Sequence, residues 1–200
     1  GIATEWNPNA IGHVNALKVS GHPVYVGGEF AQIAGVTSNH LAAIDAKTGE
    51  VDRKWDPNVS GVVRAIEVQG NTVFAGGNFT QIYGVRRRYI AALDAVKGGV
   101  EPSWNPDADN SVNALRLLGS TLYVGGAFTE IGGQRRSRLA ALDSRSDRAS
   151  SWNPNVLDGA VTALEIQGNT IYAGGSFTEV GGLPREGIAA IDPKGTVVLE

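Results

Sequence analysis

The segment Tyr25-Val-Gly-Gly-Glu-Phe30 occurs in four versions along the chain, and their regular spacing decides the fold. Its glycine doublet returns every 49 residues, at Gly27-Gly28, Gly76-Gly77, Gly125-Gly126 and Gly174-Gly175. A phenylalanine and an aspartate keep the same step (Phe30, Phe79, Phe128, Phe177; Asp45, Asp94, Asp143, Asp192). The four tryptophans follow at steps of 49, 49 and 48 residues: Trp6, Trp55, Trp104 and Trp152. Self-similarity of this kind indicates a repeat architecture, in which each unit buries its apolar face against its neighbours.

Each unit contains four short stretches with the character of β-strands, and no window has a sustained helical period. In the first unit these stretches are 14–19, 23–26, 41–44 and 51–55. Four strands per unit of about 49 residues are typical of a propeller blade. We therefore predict an all-β fold, a β-propeller of four four-stranded blades in a single repeat domain. The units are about 6–54, 55–103, 104–151 and 152–200, and residues 1–6 form a rim strand that can close the ring.

Two ways of completing the ring are open. In a closed four-bladed monomer, the favoured form, the strand Ala3-Thr-Glu-Trp6 pairs with the third strand of the last unit and hides an edge. Alternatively, Thr196-Val-Val-Leu199 supplies the rim strand of its own unit, and the ends stay apart. The chain is then a fragment of a longer propeller, or half of an eight-bladed ring completed by a homodimer.

Two resemblances to known families support a propeller. The pattern Tyr25-Val-Gly-Gly-Glu-Phe30, Leu41-Ala-Ala-Ile-Asp45, Thr48-Gly49 and Trp55-Asp-Pro resembles the delta-60-type repeat of bacterial secreted β-propellers over essentially the whole chain. This resemblance implies a secreted or cell-surface module of a larger exported protein, with no catalytic residues to transfer. A weaker similarity links Ala43-Ile-Asp45-Ala-Lys-Thr48-Gly49 and Trp55 to the tryptophan-docking repeat of quinoprotein propellers.

Composition and the absence of known catalytic motifs reduce the number of functions that the sequence supports. The chain has no cysteine, a net charge of −3, and no apolar run of the length that spans a bilayer, so we expect no disulfide, no nucleic-acid partner and no membrane insertion. It contains no HExxH, no Gly-x-Ser-x-Gly and no evident Ser/His/Asp set. Asp107, Asp109 and Asn110 resemble the start of a calcium loop but lack its glycine and closing glutamate. We expect no catalytic residue, no metal and no cofactor.

The repeated residues are interpreted as structural. A large aromatic at one fixed point of every unit suits docking of one blade on the next, the role we assign to Trp6, Trp55, Trp104 and Trp152. The glycine doublets fit a close backbone approach or a bulge, and the repeated aspartates fit turn caps.

The loops between the second and third strands differ from unit to unit and carry many arginines. They hold seven of the 17 basic residues, and we take these with one tyrosine as the candidate ligand-binding set: Arg86, Arg87, Arg88, Tyr89, Arg135, Arg136, Arg138 and Arg185. One interpretation is a solvated face with weak Arg–Asp pairs to Asp56, Asp107, Asp109 and Asp158. The other is a face that binds a protein or an anionic glycan, since guanidinium groups suit carboxylate and sulfate.

The sequence leaves three functions open. The first is a non-catalytic binding or scaffolding module. The second is a propeller enzyme, either a quinoprotein-like dehydrogenase or a lyase. The third is a repeat fragment with no independent function.

Overall fold

The computed structural model describes residues 4–198, which form β-strands, turns and loops without helix. The first unit has four strands: β1 (Ala10–Val19), β2 (Pro23–Ile33), β3 (Val36–Thr37) and β4 (Leu41–Asp45). The second has β5 (Val63–Gln69), β6 (Thr72–Gly77), β7 (Gln81–Ile82), β8 (Val85–Arg86) and β9 (Ile90–Asp94). The third has β10 (Val112–Leu118), β11 (Thr121–Gly126), β12 (Glu130–Ile131), β13 (Gln134–Arg135) and β14 (Leu139–Asp143). The fourth has β15 (Val156–Leu157), β16 (Val161–Gln167), β17 (Thr170–Gly175), β18 (Glu179–Val180), β19 (Leu183–Pro184) and β20 (Ile188–Ile191).

One antiparallel sheet is repeated in every unit. Its order is first, second and last long strand, as in β5-β6-β9, β10-β11-β14 and β16-β17-β20, and in the first unit β1 and β4 both pair with β2. We call β1, β5, β10 and β16 the inner strands. The all-β prediction is confirmed.

The predicted fourth strand is much shorter than expected. It is reduced to one isolated bridge per unit: Ile44 to Val51, Leu93 to Val100, Leu142 to Ala149 and Ile191 to Val197. In the first unit the Asp52 carboxylate accepts a hydrogen bond from the Lys54 amide at 2.9 Å, and the Trp55 amide donates to the Asp52 carbonyl at 3.0 Å. These bonds fold the segment into a turn directly after Val51, so the ladder stops there.

Short hairpins occupy the loops between the second and third strands, where the sequence suggested irregular chain. They are β7-β8, β12-β13 and β18-β19, and β3 pairs with the end of β2 in the same way. The segment that precedes an inner strand pairs with the hairpin of the same unit, as in Val59 with Ile82 and Val156 with Val180. Each loop is thereby fixed to the connection that enters its unit.

The glycine doublets allow two close approaches. A Cβ atom on Gly27, Gly76 or Gly125 would lie 2.5 Å from a valine Cγ1 of the next unit (Val63, Val112 or Val161). A Cβ on the second glycine would instead meet a carbonyl oxygen in or directly before the unit's own inner strand, 2.1 Å away for Gly77 and Val62. Because no side chain fits at these positions, packing requires the first glycine of the first three doublets and the second glycine of all four.

Three of the tryptophans lie buried where consecutive units meet. Trp55 packs on Tyr25 of the preceding unit with ring centroids 5.0 Å apart, and Trp104 packs on Phe74 in the same way. Trp152 repeats the arrangement with Tyr123 at 5.1 Å. Each indole N–H donates to a carbonyl in its own unit, so the ring joins an aromatic side chain of one unit to a turn of the next.

Consecutive units pack side by side through their inner strands. β1 lies beside β5, β5 beside β10, and β10 beside β16. The strands β16 and β1 make no comparable contact in the part of the chain that the structure describes.

The two ends differ from the favoured prediction of a ring closed by the first strand. Residues 4–6 of that strand form no β-structure, and the Trp6 indole donates to the Asp45 carbonyl of its own unit at 3.2 Å. At the other end Ile191 pairs with Val197, so the last unit supplies its own fourth strand. The reason is that every tryptophan binds the turn of the unit it begins, which keeps Trp6 on the first unit. Ala3 and Leu199, which the prediction also involved, lie outside the described residues.

The repeated aspartates cap turns. The carboxylate of Asp45 accepts hydrogen bonds from the amides of Lys47 and Thr48 at 2.8 Å each, and Asp94 and Asp143 accept equivalent pairs. These backbone amides hold the pKa of all three carboxyl groups below the usual aspartate range.

We expect the fold to lose stability in acid because of these caps. Folded-state pKa values below the unfolded value of about 3.9 mean that the caps stabilise fully above that pH and lose their contribution as pH falls through the folded pKa values. The urea midpoint measured from pH 7 to pH 3 should be nearly constant down to about pH 5 and then fall. The triple variant Asp45→Asn/Asp94→Asn/Asp143→Asn should have a flatter profile. An unchanged profile in the triple variant would show that other groups control the acid transition.

Candidate functional site

A β-bulge at the same place in every inner strand builds the candidate site. The register of each strand slips between a valine and an alanine two residues later, as between Val63 and Ala65. The residue between them is polar in all four units: Asn15, Arg64, Asn113 and Thr162. Bulges re-aim side chains and occur often beside binding sites. Here the bulged residues of all four units line one cavity of about 280 Å³.

Three of the four bulged side chains are held by backbone carbonyls. The amides of Asn15 and Asn113 donate to the Val63 and Val161 carbonyls of the following units at 3.4 and 3.2 Å. The Thr162 hydroxyl donates to the Gly174 carbonyl at 3.4 Å. Arg64 is exposed to the cavity and has no side-chain hydrogen bond or ion pair to any residue between 4 and 198. The cavity therefore presents one guanidinium group with its donors unused.

A second set of equivalent positions carries charges of alternating sign: Lys18, Glu67, Arg116 and Glu165. The buried Glu67 carboxylate lies 2.5 Å from Lys18 Nζ and 3.6 Å from an Arg116 nitrogen. Arg116 also contacts Glu165 at 3.2 Å. The Ile166 amide and Arg116 lower the pKa of Glu165. Positive and negative groups thus alternate from unit to unit beside the cavity.

The charged groups at the site are one compensated carboxylate and one guanidinium group with unused donors. The Glu67 carboxylate, which adjoins the cavity, is compensated by two cations, and no group of three His, Asp or Glu side chains among the described residues could hold a metal. The unused group is a cation, and guanidinium groups bind carboxylate, sulfate and phosphate through paired hydrogen bonds.

The arginine-rich loops that the sequence singled out are largely engaged within the chain. Arg87, Arg136 and Arg185 stand at equivalent positions, and each donates to the carbonyl of the preceding residue. Arg87 and Arg136 also reach a carbonyl further along the chain, at Glu101 and Ser150. These contacts tie the hairpin to the segment that leaves the unit, and Arg87 is buried in consequence.

Two more arginines link neighbouring units. Arg88 binds Asp107 through two parallel hydrogen bonds of 2.8 and 2.7 Å, which lower the pKa of the Asp107 carboxyl group. Arg138 donates to the Val156 carbonyl of the next unit at 3.1 Å, and Tyr89 packs partly buried against the apolar core.

Replacing Arg88 with glutamine should destabilise the fold only slightly, because both partners are about one-third exposed and solvent screens the pair. Denaturant titration measures the loss, and Arg86→Gln, two residues earlier, is the control with no expected change. A loss as large as that expected for a buried core residue would contradict the screened geometry.

Arg86 and Arg135 are the two loop arginines whose side chains have no hydrogen bond or ion pair in the described range. They occupy equivalent positions on the exposed strands β8 and β13 of neighbouring units. Of the predicted ligand-binding set, these two keep their guanidinium groups available.

The acidic residues near these loops also stabilise the chain locally. Asp109 accepts from the Thr129 amide and hydroxyl at 2.8 and 2.6 Å, and Asp158 does the same with Thr178. Ser60 fills the equivalent place in the second unit. The Asp109 oxygens that resembled calcium ligands are thus used as turn acceptors.

Sequence reasoning missed the bulged set. The signal was present, because a polar residue stands at a 49-residue step inside the apolar pattern of each inner strand, between valine and alanine. A period-two pattern gives no indication that one residue is inserted into the ladder, so the common direction of these side chains was not predictable.

Comparison with known proteins identifies similar folds. No family model matches the chain, and no curated protein does. The computationally designed Ika4 protein is similar over 96% of this chain and 99% of its own, with a TM-score of 0.64 and 15% identity. The extracellular domain of a putative hybrid two-component system, BT4673 from B. thetaiotaomicron, matches over 92% of this chain with a TM-score of 0.58 and 12% identity. This chain spans 21% of that second structure. Both likenesses concern the fold alone.

Within residues 4–198 no helix has the length and apolar character needed to cross a membrane.

Proposed function

We propose that the four units are blades of a β-propeller that serves as an extracellular, non-catalytic binding module, and that the central cavity binds an anionic group of a glycan. The observation that carries the proposal is Arg64, whose side chain projects from a bulge into the cavity with its donors unused. The localisation rests on the sequence resemblance to secreted propellers and agrees with the extracellular origin of one similar structure.

The surroundings of Arg64 favour a carboxylate or sulfate on a sugar. Asn15 and Asn113 stand at the equivalent bulges of the neighbouring units, and Arg116 lines the same cavity. Amide groups pair with hydroxyls, while two guanidinium groups favour negative charge. A charged sugar combines both kinds of group, and a cavity of about 280 Å³ has room for one such residue.

Calorimetric titration with oligomers of galacturonate and of a sulfated sugar tests this function. The native chain should bind at least one of them, and Arg64→Gln should weaken binding roughly tenfold to a hundredfold, because a hydrogen bond to a charged group contributes about 1.5–3 kcal/mol. Arg53→Gln is the matched control, since Arg53 is also exposed but lies outside the cavity. Equal binding by the native chain and Arg64→Gln would exclude the cavity as the site.

A second candidate surface rests on Arg86 and Arg135, which are exposed on neighbouring hairpins. This surface suits a longer polyanion or an acidic protein, because the two guanidinium groups stand on different units. If the double variant Arg86→Gln/Arg135→Gln loses binding in the same titrations while Arg64→Gln keeps it, the loop face is the binding site.

The enzyme and fragment hypotheses remain as alternatives with their own tests. A quinone absorbance or a stoichiometric metal in the purified protein would favour a dehydrogenase or lyase. Binding to neither anionic glycans nor acidic proteins would favour a repeat unit with no independent function.

A further inference from the structure

The first and last units each expose apolar residues that are buried everywhere else in the repeat. On the first inner strand Val14 and Leu17 are 43% and 62% exposed, whereas their equivalents in the other units are at most 5% exposed. On the last unit Tyr172 and Ile188 are 38% and 66% exposed, and their equivalents are likewise buried. The two exposed surfaces correspond to the two sides of the interface that joins consecutive units.

The internal interfaces define that type. At each of the three unit-to-unit contacts, a valine of the later inner strand sits against the first glycine of the earlier doublet, and a leucine or isoleucine three residues on packs beside it. An aromatic residue of the earlier unit packs on the tryptophan that begins the later one. Because the three internal interfaces share these contacts, they show which contacts each end unit is missing.

The exposed surface of the last unit resembles the surface that the earlier unit contributes to each internal interface. A Cβ atom on Gly174 would meet only Ala163 at 3.6 Å and the Gly187 carbonyl at 3.9 Å, so the position that receives a valine elsewhere is open. Tyr172 has no tryptophan on it. The first unit offers the later half, with Val14 and Leu17 exposed and Trp6 36% exposed.

Polar groups at the two ends match as well. Between the second and third units, the Gln69 amide donates to the Gly119 carbonyl at 2.5 Å. Gln167 and Gly21 are the equivalent donor and acceptor at the two ends. The alternating charges begin with Lys18 and end with Glu165, so joining last unit to first continues the alternation without a like-charge contact.

We propose that a second copy of this chain covers these surfaces. The first unit of each copy docks on the last unit of the other, which forms a two-fold dimer with eight units. Each of its two new interfaces repeats the internal contacts: Val14 against Gly174, Tyr172 on Trp6, and Lys18 beside Glu165. A two-fold axis lets both ends of both chains be covered at once, and no apolar edge remains free. The proposal does not depend on the identity of any ligand.

Engineered disulfides test the pairing, because the chain has no cysteine of its own. At the internal interfaces, the Cβ positions of the glycine and the valine lie 3.1 to 3.3 Å apart, just below the usual disulfide range, so a small separation of the two strands brings the pair to the distance of about 3.5 Å that a disulfide needs. We therefore expect the double variant Val14→Cys/Gly174→Cys to oxidise into a covalent two-chain species. The matched control Gly27→Cys/Val63→Cys should form a bond within one chain.

The products separate the possible occupants. The result is interpreted only when the control variant has formed its disulfide. If the Val14→Cys/Gly174→Cys disulfide then forms within a single chain, the dimer is overturned in favour of a four-unit ring. A ladder of longer species would overturn closure into two copies, and free thiols would mean that a different partner covers the surfaces.

A second variant tests the same contact without cysteine. Gly174→Val fills the open position and meets no close neighbour in its own unit, so it should fold normally but change the dimer into a monomer of 20.9 kDa in light scattering at micromolar concentration. Gly99→Val is the control, because the space around Gly99 is open and lies outside both surfaces. A Gly174→Val chain that stays dimeric, or a native chain that is monomeric, would overturn the proposal.

Discussion

Replacing Gly77 with alanine should lower the free energy of unfolding by about 3 kcal/mol or more, one of the largest effects expected for any single substitution in this chain. The added Cβ would lie 2.1 Å from the Val62 carbonyl oxygen and 3.0 Å from the Val63 Cα. Both neighbours are backbone atoms at the start of the paired strand β5, Val62 directly before it and Val63 its first residue, so no rotamer change relieves the clash. The sheet must separate at this point or the bulge must be lost. Urea titration followed by tryptophan fluorescence measures the change.

Gly99→Ala is the control for this experiment. A Cβ on Gly99 has no neighbour within 4 Å, and the backbone of Gly99 is not in the left-handed region. Its stability should stay within about 0.5 kcal/mol of the native value, as for most surface substitutions. Similar losses for Gly77→Ala and Gly99→Ala would show that glycine flexibility in the unfolded chain, and not close approach, explains the doublets.

The second large effect is expected for Trp104→Ala, which should cost about 3–5 kcal/mol. The Trp104 ring is 2% exposed, packs on Phe74 at 5.0 Å, and donates to the Asp143 carbonyl at 3.3 Å. Its removal leaves a cavity between the second and third units and takes away one of the two hydrogen bonds to the Asp143 carbonyl, which keeps the Asp147 amide as its donor. Because the ring joins two units, thermal unfolding should also become less cooperative.

Trp6→Ala is the matched comparison within the repeat. Trp6 occupies the equivalent position but is 36% exposed, so less surface is lost when it is removed. Measured at concentrations low enough to keep the chain monomeric, this variant should lose only about 1–2 kcal/mol. A loss equal to that of Trp104→Ala would mean that the tryptophans stabilise their own units and contribute little between units.

How much of the structure could be predicted depends on how close in sequence the interacting residues lie. The all-β class, the four units and the turn caps depend on residues close in sequence, and they follow from the 49-residue step. The stop of the fourth strand at Val51 depended on one competing turn at Asp52, which an apolar pattern does not reveal. The buried position of Arg87 was also unpredictable, because its partner carbonyl lies 14 residues further on at Glu101.

The sequence alone determined the all-β class, the 49-residue repeat and the turn caps, because these depend on residues close together within each unit. It did not reveal the hairpins in the loops or the early end of the fourth strand. Only the tertiary structure decided which side chains remain available, since that depends on the atoms that neighbouring units bring together. In the tertiary structure, Arg87, Arg88 and Arg136 form hydrogen bonds within the chain. The bulge in β5 directs Arg64 into the cavity that the four units share. The tertiary structure also left Val14 and Tyr172 partly exposed, although their equivalents in the other units are buried. A residue's position in the repeat sets its conformation, but the presence of an adjoining unit sets its burial.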